Sequence, residues 1–174
     1  MSEQPEPVGD AGAALLSLYD VALPRIYGYL LSRCGQRDLA EDLTAETFLA
    51  GVDAVRGDQP TVPNAPWLLG VARHKLADHW RREAREQRHL LAVAEPPQDA
   101  DPWDERLDAI RAHQVLHQLA PQHRAALTLR YVDDLPVPEV AALLGRSLHA
   151  TEALLVRARA AFRRAYTAEE GCRD

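Results

Sequence analysis

Tryptophan and arginine side chains are interleaved along residues 67–88, a pattern that could bind single-stranded nucleic acid. In such sites aromatic rings stack on bases while guanidinium groups follow the phosphates. Trp67 comes directly after a proline-rich loop and is expected to be a core residue, whereas Trp80 lies among polar neighbours, which favours a binding role. The arginines that could follow a phosphate backbone are Arg73, Arg81, Arg82 and Arg85.

A second pattern, with the shape of a helix-turn-helix, covers residues 137–159 (VPEVAALLGRSLHATEALLVRAR). Gly145 permits a tight turn, and Ser147 can cap the helix that follows. In this motif the first residues of the second helix reach base edges in the major groove of duplex DNA. An ordinary helical hairpin has the same pattern, so the segment by itself leaves both explanations open.

Charge is strongly segregated along this chain of 174 residues, whose net charge is −6. Residues 95–108 hold six acidic side chains against Arg106 alone, whereas residues 67–88 and 156–164 are basic. A protein that coats nucleic acid would be basic throughout, so that class is excluded. Lys75 is the only lysine, and nearly all positive charge is therefore guanidinium, which stays ionised and can bind phosphate or guanine with two hydrogen bonds.

Enzymatic chemistry has little support in the sequence. His113 and His117 are four residues apart and could share a helix face, as metal ligands do. No cysteine or carboxylate set completes such a site, so solvated histidines are the better explanation. The sequence also contains neither a phosphate-binding glycine loop nor a nucleophile elbow. We therefore expect no catalytic residue, no metal and no cofactor.

The cysteines and the N-terminal residues bear on the compartment. Cys34, expected to be buried in a helix, and Cys172, near the C-terminus, do not suggest a disulfide framework. The first residues lack the basic and apolar regions of a signal peptide. No apolar run reaches the roughly 18 residues that span a bilayer. The sequence therefore predicts a reduced, cytoplasmic protein without membrane association.

Apolar spacing predicts an all-α fold, with no strand-like alternation of any length. A first helix is expected from Ala13, divided at Pro24 and stopped at Gly35. The next is expected over residues 38–55, and a long third helix from 66 or 67 to about 91. In the second helix the residues expected to point inward are Leu39, Leu43, Leu49 and Val52, with Asp42 and Glu46 outward.

A proline-rich acidic linker is expected to divide the chain into two helical domains. The C-terminal domain should contain four helices, over about 103–118, 121–132, 136–144 and 148–165. The predicted division is a disordered N-terminus at 1–10, a first domain at 11–91, the linker at 92–106, a second domain at 107–167 and a tail at 168–174.

Three blocks of this sequence resemble the extracytoplasmic-function (ECF) group of the bacterial sigma-70 family of RNA polymerase sigma factors. They are AEDLTAETFL at residues 40–49, WLLGVARH at 67–74 followed by Asp78 and Arg81-Arg82, and LAPQHRAALTLRY at 119–131. The order of the blocks also matches, with the acidic linker between the last two. The resemblance implies an alternative sigma factor with a region two domain and a region four domain that contains the helix-turn-helix.

The resemblance also implies partners and sites. The partners would be core RNA polymerase, through its β′ clamp helices and β flap, promoter DNA, and an anti-sigma factor. Core-polymerase binding would fall to Glu41, Asp42, Ala45 and Glu46, and minus-ten binding to Trp67, Arg73, His74, Asp78, Trp80, Arg81, Arg82 and Arg85. Minus-thirty-five binding would fall to Arg146, Ser147, His149, Ala150, Thr151, Glu152, Arg157 and Arg159.

The sequence departs from the family pattern at several positions. Ala45 stands where glutamine is common, and Val52 where tryptophan is common. In the recognition helix, Glu152 and Leu154 replace two basic residues expected near DNA, and the alternative for Leu154 is a packing residue against Leu135 or Leu144. A glutamate can accept a hydrogen bond from cytosine but repels phosphate. Recognition of the minus-thirty-five element is therefore the part of the resemblance with least support.

Two other functions fit parts of the sequence. One is a helix-turn-helix regulator that binds duplex DNA without polymerase, and the other is a sigma-like interaction protein with weak DNA binding. The regulator would leave a footprint without polymerase, and the interaction protein would leave none even with it. Residues 67–82 have no obvious role in a simple regulator, which favours the sigma factor.

Overall fold

A computed structural model of the chain describes residues 7–57, 63–90 and 109–170, and all regular structure in these ranges is helical. The all-α fold class is therefore confirmed. Contacts divide the chain into two compact units, the first ending at Leu76 and the second beginning at Ala77. The predicted linker at 92–106 lies outside the described residues.

The first unit contains α1 (Pro7–Cys34), α2 (Arg37–Arg56) and the first half of α3 (Ala65–Leu90). α1 begins at Pro7, so residues 7–10, for which the sequence predicts disorder, form its first turn. A proline suits that turn, because the missing amide hydrogen would have no partner there. Cys34, the last residue of α1, is 3% exposed, in agreement with its predicted burial, and its thiol donates to the Gln36 carbonyl at 3.3 Å.

α1 runs without interruption through Pro24, so the predicted division of this helix is wrong. An internal proline removes the hydrogen bond to the carbonyl four residues earlier. Pro24 and Asp20 are both exposed, so the carbonyl that loses its partner can bond to water. Ala22 and Ile26 are buried on either side of the proline, and their packing keeps the helix continuous.

α2 buries one stripe of side chains at helical spacing: Ala40, Leu43, Thr44, Thr47, Phe48, Gly51 and Val55. Leu49 is 62% exposed, so its predicted inward position is wrong. It follows Phe48 directly and is thus turned about 100° around the helix, outside the buried stripe. Val52 packs partly buried beside Leu15 and Val55.

The second unit contains the remainder of α3, α4 (Ala109–Gln118), α5 (Pro121–Leu127), α6 (Val137–Leu144) and α7 (Leu148–Glu170). A π-helical segment, Thr128–Val132, continues α5, and together they cover the single helix predicted at 121–132. Residues 103–108 of the helix predicted at 103–118 lie outside the described residues. α7 extends to Glu170 and so includes the first residues of the predicted tail.

The turn between α6 and α7 has the geometry predicted for a helix-turn-helix. Gly145 adopts a left-handed conformation with φ 61° and ψ 40°, and the Arg146 amide donates to the Ala141 carbonyl at 2.9 Å. Glycine meets this conformation without the steric cost of a side chain. The Ser147 hydroxyl accepts a 3.2 Å hydrogen bond from the Ala150 amide, which confirms its role as a helix cap.

Candidate functional site

The acidic edge of α2 consists of the exposed side chains of Glu41 and Asp42, and Ala45, one turn after Glu41, is also exposed. Glu46, one turn further on, is only half-exposed, because its carboxylate lies 3.1 Å from the Lys75 ammonium of α3. The four residues predicted to bind the core polymerase thus differ in how accessible they are to a partner. Three are open to a partner, and the fourth already has an ionic partner within the unit.

An apolar groove between α1 and α2 adjoins the acidic edge and encloses about 500 Å³. Leu16 and Leu49 on its rim are 74% and 62% exposed. The Tyr19 and Phe48 rings pack at 4.8 Å between centroids within it, and Glu41 and Ala45 also line it. The sequence analysis did not predict this groove. The available signal was Leu49, an apolar residue that lies next to the buried stripe of α2 and not within it.

The first half of α3 carries three of the residues predicted for minus-ten binding. The Trp67 amide donates to the Asn64 side-chain oxygen at 2.9 Å, and this bond caps the helix. The Trp67 ring is half-buried, so it is neither a full core residue nor freely exposed. Arg73 is half-buried, and His74 is exposed.

The second half of α3 departs most from expectation. Trp80, expected to stand among polar neighbours and be available for binding, is 1% exposed. Its indole nitrogen is buried without a hydrogen-bond partner. Arg81 is paired with Asp78 one turn earlier, so their charges offset each other locally. Arg82 and Arg85 are exposed.

Two residues that sequence reasoning missed form an ion pair within the second unit. A guanidinium nitrogen of Arg124 on α5 lies 2.7 Å from a carboxylate oxygen of Glu83 on α3. Arg124 is 8% exposed, which is unusual for an arginine. No local pattern reveals this pair, because the two residues are separated by 41 positions.

The recognition helix α7 presents only part of its predicted DNA-binding set. Ser147, His149 and Glu152 are exposed, and Ala150 is half-buried. Thr151 is completely buried, and its hydroxyl donates to the Ser147 carbonyl at 2.9 Å, so the side chain is turned away from any groove that α7 could enter.

Leu154, which the family pattern places near DNA, is 1% exposed. It is a packing residue, and the expectation that it replaces a DNA-facing cation is wrong. The predicted contact residues with long side chains, Arg146, Arg157 and Arg159, are each half-buried. Arg146 reaches Gln122 at 3.4 Å, Arg159 donates to the Tyr131 hydroxyl at 3.3 Å, and Arg157 lies close to His123.

Three histidines of the second unit have pKa values below the ordinary 6.5. Burial is the main cause for His123, with Arg157, Arg164 and Arg146 adding repulsion. Burial also lowers the pKa of His117, as does neighbouring His113, whose ring is 5.0 Å away. Burial lowers the pKa of His79 despite the opposing carboxylate of Glu83.

Metal binding and membrane insertion find no support in the described ranges. No group of three potential metal-ligating side chains comes together in them. None of their helices is long and apolar enough to cross a bilayer.

An exposed acidic edge, an arginine-rich helix and a helix-turn-helix, in described ranges whose regular structure is all helical, are typical of a transcription initiation factor. Family comparison agrees: residues 18–86 match Sigma-70 region 2, and residues 109–162 match Sigma-70 region 4. The chain belongs to the ECF group of the sigma-70 family of RNA polymerase sigma factors.

Named relatives include the RNA polymerase sigma factor CarQ of Myxococcus xanthus, 33% identical over 130 residues that cover 71% of this chain and 72% of the relative. The ECF sigma factor SigL of Mycobacterium tuberculosis is 32% identical and is covered over 79% of its length. BldN of Streptomyces coelicolor is 30% identical over 81% of this chain, which spans 56% of BldN.

A solved structure of the sigma factor RpoE in complex with the anti-sigma factor NepR, from Bartonella quintana, shares the fold with a TM-score of 0.51 at 20% identity. The alignment covers 86% of this chain and 94% of that one.

Proposed function

We propose that this alternative sigma factor binds core RNA polymerase with the α1–α2 surface, minus-ten DNA with α3 and minus-thirty-five DNA with α7. The observation that carries the proposal is the adjacency of the exposed Glu41 and Asp42 to the apolar groove of the same unit. A surface with an apolar centre and a charged rim suits a protein partner. The region 2 match covers this whole surface apart from Leu15 and Leu16.

The partner of the α1–α2 surface would be the β′ clamp helices. The exposed carboxylates of Glu41 and Asp42 favour a basic partner, and Leu16, Tyr19 and Leu49 would take apolar side chains between them. Exposed apolar side chains that form a continuous patch mark an interaction site more reliably than isolated ones. Charge would then guide association, while apolar burial would supply most of the affinity.

Minus-ten binding would fall to the arginine-rich part of α3. Among the side chains that the structure describes on this helix, the exposed Arg82 and Arg85 would contact phosphate, and the exposed His74 and half-buried Trp67 would contact bases. Arg81 would first exchange Asp78 for phosphate. Trp80 would need to leave its buried position before it could stack.

Minus-thirty-five binding would use the start of α7. Ser147, His149 and the half-buried Ala150 face outward there, and Arg146, Arg157 and Arg159 are placed to contact phosphates once they leave their present partners. Glu152 would repel phosphate, so this contact would be weaker than in relatives with basic residues. The β flap of the polymerase would hold this domain near the promoter.

The polymerase would supply all catalysis, and the site of action would be the cytoplasm, where transcription takes place. An anti-sigma factor is a further proposed partner. The related RpoE was solved with such a protein, NepR, and that likeness supports the proposal.

Transcription from a genomic fragment library with purified core enzyme tests the proposal. We expect transcripts that require this chain and that map to a shared promoter sequence, with permanganate-reactive thymines at its minus-ten element. A footprint without polymerase would favour the regulator. Absence of both transcripts and core binding would overturn the proposal.

A further inference from the structure

A cavity of about 530 Å³ lies within the second unit, lined by residues of α3, α5, α6, α7 and the turn that follows α6. Sites for small molecules typically enclose about 300–1,000 Å³. Trp80, Leu144 and Leu154 form an apolar floor, since each is less than a tenth exposed. Arg85 and Gly145 also line the cavity but are exposed, so they mark its rim. A ligand with an apolar body and a polar end would match these two surfaces.

Three arginines line this cavity, namely Arg81, Arg85 and Arg146, and none of the described residues that line it is acidic. Asp78, outside the lining, offsets the charge of Arg81 in part. A concave site lined by charges of one sign concentrates ions of the opposite sign. Guanidinium groups also bind phosphate oxygens with paired hydrogen bonds. The lining therefore favours an anion, although the net charge of the chain is −6.

The turn between α6 and α7 brings two of these arginines together. A side-chain carbon placed on Gly145, the neighbour of Arg146, would lie 3.0 Å from an Arg81 guanidinium nitrogen. Glycine thus leaves room for Arg81 beside the turn. The surroundings of Arg146 are positive as well. Burial lowers the pKa of His123, and the charged neighbours that add to this effect are arginines, Arg146 among them.

The floor of the cavity contains a hydrogen-bond donor that lacks an acceptor. The Trp80 indole N–H is buried and has no partner among the described residues. Buried polar groups are normally paired, so each exception requires an explanation. Because Trp80 itself lines the cavity, an acceptor atom on a bound molecule would supply the missing partner. This observation is independent of the arginines and also indicates a ligand.

We propose that this cavity binds a phosphorylated small molecule of nucleotide size, with the chemistry of a nucleoside diphosphate. Its phosphate oxygens would accept hydrogen bonds from Arg81, Arg85 and Arg146, and its ring system would pack on Leu144 and Leu154. A terminal phosphate suits three converging guanidinium groups better than a phosphodiester does, because it carries about −1.5 to −2 charges at pH 7. Each phosphodiester of DNA carries a single charge. The inference goes beyond the proposed function and does not depend on it.

Calorimetric titration of the free full-length chain with ADP and with GDP, at about 0.15 M salt, tests the proposal. We expect one saturable site. Adenosine, which lacks phosphate, should not bind. Pyrophosphate, which lacks the ring system, should bind about tenfold more weakly than ADP, because it buries no apolar surface. Thymidylyl-thymidine, whose one phosphate is a diester, should also bind more weakly.

Two variants of the lining should lose affinity for different reasons. Arg85→Gln should weaken ADP binding about tenfold or more, because a charged hydrogen bond is lost. Arg164→Gln, an equal charge change at an exposed position of α7 outside the lining, should bind like the parent. Ala84→Leu keeps every charge but adds bulk to the cavity wall, so it should also weaken binding. Thermal melting checks that each variant is folded, and Arg85→Gln decides alone if Ala84→Leu is not.

The Trp80 indole locates the bound molecule. In a chain with Trp67→Phe and Trp103→Phe, Trp80 is the only tryptophan, and its indole N–H gives one resonance in the NMR spectrum. We expect ADP to shift this resonance over the same concentration range that releases heat.

Absence of binding by both ADP and GDP would overturn the inference, as would an unshifted Trp80 resonance at saturation. Parent-like affinity in a folded Arg85→Gln or Ala84→Leu chain would place the ligand elsewhere and overturn it too. Pyrophosphate or thymidylyl-thymidine binding as tightly as ADP would show that the cavity does not select a ring system with a terminal phosphate. Transcription with core enzyme tests the proposed function separately, so none of these results decides it.

Discussion

The Lys75 ammonium lies 3.1 Å from the Glu46 carboxylate, so the single lysine of the chain ties α3 to α2 within the first unit. Both side chains are partly exposed, at 36% and 44%, and such pairs contribute at most about 1 kcal/mol to stability. The pair nonetheless affects how Glu46 can act. A partner that recruits this carboxylate must compete with Lys75, whereas Glu41 and Asp42 are open.

Charge reversal on the acidic edge is the first prediction. Glu41→Lys with Asp42→Lys should weaken binding to core polymerase, because both carboxylates are exposed and would meet a basic partner. Fluorescence anisotropy of the labelled chain with core enzyme measures this change. Asp53→Lys is the matched control, since it is exposed on the same face of α2 about 16 Å further along.

Thermal melting should show the double variant to be as stable as the parent, within about 1 kcal/mol. Unchanged core affinity in a folded double variant would remove the acidic edge from the interface. Glu46→Lys is expected to affect both properties, because it places a second ammonium beside Lys75.

The apolar groove gives the second prediction. Leu49→Gln and Leu16→Ser should each weaken core binding while leaving the melting temperature nearly unchanged, since these side chains are 62% and 74% exposed. Val21→Ser supplies the control, because Val21 is 62% exposed on α1 but does not line the groove. Core affinity equal to that of the control would show that the polymerase does not use the groove.

Exposed arginines of α3 give the third prediction. Arg82→Ala with Arg85→Ala should reduce holoenzyme affinity for the single-stranded minus-ten element and flatten its log–log salt dependence by about 1.4, the share of two lost phosphate contacts. A salt titration of oligonucleotide binding measures this slope. Arg37→Ala, at an exposed position on α2, should leave the slope unchanged. An unaltered slope in the double variant would contradict the assignment.

The recognition helix gives the fourth prediction, in which two neighbouring positions behave differently. Glu152→Lys should strengthen binding to the duplex minus-thirty-five element and steepen the salt slope by about 1, because Glu152 is exposed. Leu154→Ala should instead lower the free energy of unfolding by about 2–5 kcal/mol, because its side chain is 1% exposed.

Urea unfolding and DNA titration separate these two effects. Leu148→Ala is the control for Leu154→Ala, since Leu148 lies on the same helix and is 48% exposed. A Leu154→Ala chain as stable as this control would show that α7 does not bury Leu154 in solution. Unchanged DNA affinity in Glu152→Lys would mean that Glu152 does not approach the phosphates.

The depressed histidine pKa values of the second unit give the fifth prediction. A lowered pKa means that the folded unit favours the neutral form, so this contribution is complete above the ordinary value of 6.5 and is lost as the pH falls below it. The melting temperature should therefore decrease between pH 7.5 and pH 5. His123→Gln should reduce this dependence, whereas His149→Gln, at an exposed position, should not. Equal pH dependence in both variants would contradict the role of His123.

Local patterns in the sequence were enough to predict most of the helices and the turn between α6 and α7. Pro121 begins α5 as expected, and Gly145 and Ser147 form the turn and the cap, because these features depend on a few adjacent residues. The break expected at Pro24 did not occur. A proline only weakens a helix, and tertiary packing on both sides of it can hold the helix together.

The sequence by itself determined the helical class and the family, and it predicted residues for binding to DNA and polymerase, because residue types and short spacings carry that information. Tertiary structure alone decided which of those residues are accessible. Leu49 is exposed, Trp80 and Leu154 are buried, and Glu46 is engaged by Lys75. Each outcome depends on residues far away in the chain, since periodicity assigns a side chain to a helix face, but only packing decides what that face meets.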